Sequence, residues 1–172
     1  IYAYFGLVTR AQNDTNNYTN DTNQLNFPVH IGSWGNTPNR YFNGSIDDVR
    51  LSDSALYTSN FTPPCPNLPS ITSTIAVWNF NDSVSNQIAI DSSINANNGI
   101  VVGAVSLVDD VCITPTKSNV MGFDGIDDYI DLGSSIAQGI RTIEMWFNPG
   151  VTINSAINNF KTLIARDNST ST

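Results

Sequence analysis

Residues 42–52 read FNGSIDDVRLS and residues 121–133 read MGFDGIDDYIDLG. Each places an aromatic residue and a glycine ahead of Ile-Asp-Asp, and each continues into alternating apolar positions. Two chemistries fit such stretches. In one, Gly44 and Gly125 make tight turns into strands, and Asp47, Asp48, Asp127 and Asp128 accept hydrogen bonds from solvent or nearby backbone amides. In the other, the carboxylates join amide and backbone carbonyls around Ca2+, which takes several hard oxygen ligands. EF-hand spacing is missing, and an Asp-Asp pair in an Asn/Asp-rich chain carries little weight alone.

Catalytic signals are poor. Glu144 is the sole glutamate, whereas glycoside hydrolysis needs two carboxylates facing each other across a cleft. Glu144 is therefore expected at a rim or on the surface. His30, the one histidine, sits in FPVHIG without a recognisable nucleophile elbow, so it reads as a strand residue. The expectation is a chain that is not an enzyme. Aromatic rings stack on sugars. Trp34, in the loop GSWGNTPNRY, is the best exposed candidate, with Tyr41 close behind it, while Trp78 and Trp146 suit core packing.

These residues need a scaffold, and the composition bounds it. A chain of 172 residues is the size of one domain and buries a substantial core. Charged residues make up only 13%, so amides and hydroxyls cover most of the surface. A net charge of -8 with seven Lys and Arg lacks the basic footprint of nucleic-acid binding. No apolar run reaches bilayer length, and IYAYFGLVTR lacks the basic start of a signal peptide, so the chain reads as mature or cut from something larger.

Cys65 and Cys112 lack zinc-site spacing and favour a single disulfide over two buried thiols. Its loop would contribute about 4 kcal/mol on the chain-entropy model. Sequons begin at Asn13, Asn17, Asn20, Asn43, Asn60, Asn81 and Asn168. So Asn-rich a chain acquires several by chance, and they only permit glycosylation.

Helical periodicity is almost absent, apart from one turn at 134–139. Short β-rich runs bounded by Asn, Gly, Pro and Ser fall at about 2–9, 25–31, 46–51, 75–80, 87–91, 99–105, 119–123, 127–132, 141–148 and 161–166. This spacing predicts an all-β, antiparallel two-sheet sandwich. In 141–148, Ile143, Met145 and Phe147 share one face and Glu144 and Trp146 the other, the pattern of a strand covered on both sides. The run 75–80 reads the same way, and both are expected in the middle of a sheet. Pro63, Pro64, Pro66 and Pro69 mark a connector.

The order of segments resembles the laminin-G-like, concanavalin A-like jelly-roll family. WNFNDS (78–83), IDSSINANNGIVVG (90–103), NVMGFDGIDDYIDLG (119–133), TIEMWFNP (142–149) and TLIARDNS (162–169) are similar to the opening half of such a domain. YAYFGLV (2–8), FPVHIGSWG (27–35) and YFNGSIDDVRLSDSALYTSNFTPP (41–64) are similar to its closing half. The resemblance thus implies a closing half at 1–64, a Pro-rich linker at 65–73 and an opening half at 74–172. Either the chain is a window on a tandem array or it is one permuted sandwich.

Family members carry a further stretch of strands that is missing here. Completion of the sandwich by another copy, an adjacent repeat or an unseen part of the protein is therefore expected. The resemblance also implies a rim Ca2+ held by Asp124, Asp127 and Asp128, joined by Asp47 or Asp48 if the two strands lie side by side. It implies a non-catalytic extracellular or cell-surface module, structural or adhesive, in a repetitive or filament-forming protein. The alternative is a Ca2+-dependent carbohydrate-binding module of a glycoside hydrolase or of a viral or phage receptor-binding protein.

Overall fold

A computed structural model describes residues 3–8, 28–34, 40–57, 59, 61, 67–81, 87–109, 119–137, 139–151 and 161–166. The described chain is all-β. Its strands are β1 (Ala3–Val8), β2 (Val29–Ile31), β3 (Asn43–Ser52), β4 (Thr74–Trp78), β5 (Ile88–Ala89) and β6 (Gly99–Val102), followed by β7 (Ser106–Asp109), β8 (Asn119–Asp124), β9 (Tyr129–Asp131), β10 (Thr142–Pro149) and β11 (Ile164–Arg166). The one helical feature among the described residues is a 3-10 turn at Ser135–Ala137.

Every strand pair is antiparallel, in two sheets. One sheet of six strands runs β1-β10-β3-β8-β7, with β4 also on β3; the other, of five, runs β11-β2-β9-β6-β5. The sheets form a sandwich over one core, in which Ile31, Ile46, Leu51, Trp78, Ile130 and Met145 are fully buried. At about 25 cal/mol per Å2, removing such side chains from water is the dominant favourable term of folding.

The pairing mixes the two halves of the chain. β10 lies between β1 and β3, and β2 lies between β11 and β9. Each sheet draws strands from both 1–64 and 74–172, although β9-β6-β5 and β8-β7 pair within the second half. Among the described residues β1, β7, β5 and β11 each pair on one side only.

Residues 67–73 are not a free linker. The amides of Asn67 and Leu68 donate to the Asp48 carboxylate, and the Pro69 carbonyl accepts from Arg50 Nη1 at 2.8 Å. The segment is a strap pinned across the six-stranded sheet. β4 also departs from expectation, because it pairs with β3 alone among the described strands. Its free edge is covered by side chains instead: Val77 N donates to Asp91 Oδ1, and Asn95 and Asn97 Nδ2 donate to the Ile75 carbonyl. Loop amides standing in for a neighbouring strand explain how an edge strand is so buried.

The run 99–105 divides at Gly103, whose φ of +89° suits a turn, and the chain returns as β7. Asp48 has φ +50° and lies in a bulge: Arg50 and Asp47 on β3 face Glu144 and Trp146 on β10, so two residues oppose Met145 alone.

Candidate functional site

The two Ile-Asp-Asp stretches are not equivalent. Asp127 and Asp128 lie in the turn between β8 and β9, while Asp47 and Asp48 lie inside β3 and are buried. The strands do run side by side, but antiparallel, with Asn43 opposite Asp124 and Ile46 opposite Met121. Asp47 and Asp48 are thus carried about 13–16 Å down β3 from Asp124, at about 3.3 Å per residue. Asp48 Oδ1 accepts from Leu68 N and Asn79 Nδ2, its Oδ2 accepts from Asn67 N, and Asp47 Oδ1 accepts the Asp48 amide.

Asp124, Asp127 and Asp128 do converge, each offering an oxygen within 4.8 Å of the others. The turn that gathers them is held locally. Asp124 Oδ1 accepts the Ile126 amide at 2.7 Å and Asp128 Oδ2 accepts the Asp124 amide at 2.8 Å. Asn43 Nδ2 donates to the Asp124 carbonyl and ties the turn to β3. Gly125, at φ +82°, packs so closely on Asn43 that a Cβ would come within 2.8 Å of it.

Asp128 is the unusual member. It is 1% exposed, and its Oδ1 has no hydrogen-bond partner. Burial raises its pKa above the usual carboxylate value, the charges of Asp124 and Asp127 add to the rise, and the amides of Asp124 and Ala104 oppose it. A buried acceptor left open is costly unless a ligand supplies what it lacks.

Beside it is a cleft of about 280 Å3 whose walls include Asn43, Ser45, Ser106, Phe123, Asp124 and Asp128. Composition and spacing gave no hint of Ser106, because β7 (Ser106–Asp109) begins just past the 99–105 run, where no strand was expected. Asn43 was visible in the FNGS motif, but not as the residue that holds the opposite loop.

The aromatic candidates share this end of the sandwich. A Cβ on Gly32 would stand 2.7 Å from Phe123 and 3.5 Å from the Asp128 carbonyl, so the chain leading into Trp34 abuts the acidic turn. Trp34 is 37% exposed, with the Arg40 guanidinium 4.8 Å above its ring. Tyr41 is only 9% exposed, which takes its ring off the surface as a stacking platform. Its pKa is raised by burial and then by the charge of Asp127, placing the phenol within reach of the same turn.

Glu144 is not at a rim. It is 0% exposed and accepts from Arg50 Nε at 2.6 Å and from the Tyr57 hydroxyl. His30 lies in β2, with Ser33 Oγ 3.4 Å from Nδ1 and Asp131 Oδ1 3.8 Å from Nε2. The trio has the composition of a nucleophilic triad, but Ser33 is fully buried, so a substrate has no approach to it. Cys65, Cys112, Asn13, Asn17, Asn20, Asn60 and Asn168 lie outside the described residues. The other sequon asparagines, Asn43 and Asn81, both have amide nitrogens engaged in hydrogen bonds.

Compared with protein-family models, curated proteins and solved structures, the chain matches none.

Proposed function

We propose that this chain is a non-catalytic extracellular adhesive module that binds carbohydrate at a Ca2+-bearing rim of its sandwich. The observation that carries the reading is the gathering, at one end of the fold, of three carboxylates, an unpaired buried Asp128 oxygen and the half-exposed Trp34 ring. That donor set suits a hard divalent cation, with Asp124, Asp127 and Asp128 holding it. Bound there, Ca2+ supplies a positive anchor for sugar hydroxyls. Trp34 supplies an apolar face against which a sugar ring stacks. The burial of Glu144 and Ser33 supports a non-catalytic role.

Calorimetric titration with Ca2+ is expected to give a Kd of about 10⁻⁴–10⁻³ M, the range of extracellular modules. Asp127→Ala should weaken it about tenfold or more. The pH dependence has a defined sign. Because the folded-state pKa of Asp128 is raised above 3.8, the metal-free fold gains stability as pH falls through that raised value, the gain being complete below 3.8. Ca2+ needs the ionised form, so its affinity falls over the same window. Trp34→Ala should leave Ca2+ binding intact and lower sugar retention on a glycan array. Sugar binding unchanged in both variants would sink the reading.

Assembly with copies of itself is a second role, favoured by the open edge at β5. There Ile88 and its cross-strand partner Ile100 are both exposed, beside exposed Ile90. Exposed isoleucines on a strand that pairs on one side among the described residues invite cover by another chain. Ile88→Lys is then expected to dissolve oligomers or filaments seen by light scattering and electron microscopy; monomers at every concentration of the unaltered protein would count against assembly.

A further inference from the structure

We infer that Ser45, Gly122 and Ser106 form a second sugar subsite beside the acidic turn, so that the chain selects oligosaccharides over single sugars; the assignment rests on the carbohydrate-binding reading above. The three residues sit in one cross-strand row, with Ser45 opposite Gly122 on β3 and β8, and Gly122 opposite Ser106 on β8 and β7. The adjacent row of Ile46, Met121 and Leu107 packs on the core, so the serine row faces outward. All three residues line the cleft of about 280 Å3, which also takes in Asn43, Asp124 and Asp128.

Gly122 gives the row its use. Glycine weakens the interior of a strand and marks places where a ligand comes close to the backbone. Here it leaves a floor without a side chain between two hydroxyl-bearing residues that stand about 10 Å apart, two strand spacings. That span admits one sugar ring lying on the floor, with a hydrogen bond of about 2.8 Å at each edge. A serine hydroxyl both donates and accepts, which matches a sugar hydroxyl in either role. Asn43 and Asp124 oppose each other in the same register. They lie two residues further along β3 and β8, about 7 Å from the serine row. One ring anchored on a cation at Asp124 therefore cannot also meet both serines, whereas the next unit of the same glycan can.

The test compares glucose, galactose and mannose with their di- and trisaccharides on a glycan array probed with the full chain in Ca2+, followed by calorimetry on the strongest series. The disaccharide should bind at least about fivefold more tightly than its monosaccharide, the gain from two further hydrogen bonds. Ser106 is exposed, so Ser106→Ala spares the fold. It should weaken the disaccharide about two- to tenfold and leave the monosaccharide and the Ca2+ titration within about twofold. Gly122→Ala raises a methyl from the floor and should remove most of the disaccharide's gain. Equal binding of mono- and disaccharide by the unaltered protein, or a disaccharide unmoved by Ser106→Ala, would overturn the subsite. An array retaining no sugar of any length would instead sink the carbohydrate reading, and the subsite with it.

Discussion

Arg50→Ala is expected to lower the unfolding free energy by about 3–5 kcal/mol, because it leaves the Glu144 carboxylate buried without its cation. Glu144 is fully buried, and the Tyr57 hydroxyl bonds one carboxylate oxygen while Arg50 Nε bonds the other. Arg50 also reaches the Pro69 carbonyl, so one guanidinium holds both β10 and the strap. The pair on its own is weak support for the idea that charge stabilises the fold, since desolvating two ions offsets most of their attraction. The double variant Arg50→Met, Glu144→Leu should therefore recover most of the loss, to within about 1 kcal/mol of the unaltered chain. Urea unfolding with an unchanged slope reads both. A single variant within about 0.5 kcal/mol of the unaltered protein would show that water reaches Glu144.

That network also shows where reading the sequence stops. The alternation in 141–148 was legible as a strand with two covered faces, and β10 is central, with Met145 and Glu144 both fully buried. The fate of Glu144 was not legible, because its partners Arg50 and Tyr57 lie 94 and 87 residues away in the sequence. A carboxylate on the outer face of a strand looks solvated until something is known to cross that face. The same holds for the 75–80 run, where covering by loop amides imitates a neighbouring strand. Local patterns announced the sandwich and the Asp124–Asp128 turn. They could not announce which way β3 runs beside β8, and that direction alone separates one aspartate pair from the other.

Asp48→Ala should cost about 3 kcal/mol and leave Ca2+ affinity within about twofold. Three donors, Asn67 N, Leu68 N and Asn79 Nδ2, converge on this one carboxylate, and an orphaned buried donor costs about 1–3 kcal/mol, with relaxation reducing the sum. The backbone adds a separate handle, since Asp48 holds a left-handed φ of +50° that a Cβ disfavours. Asp48→Gly removes the same acceptor but fits that φ, so it should be about 1 kcal/mol less damaging than Asp48→Ala. Asp48→Asn keeps one acceptor oxygen and should fall between the unaltered protein and Asp48→Ala. Paired with Asp127→Ala, the series separates two uses of one dipeptide: Asp48 variants should move the unfolding midpoint and spare the Ca2+ titration, while Asp127→Ala should do the reverse, since Asp127 is exposed. If Asp48→Ala weakened Ca2+ tenfold with the fold intact, the two stretches would be acting on one ion after all, and the antiparallel register described for β3 and β8 would have to be wrong.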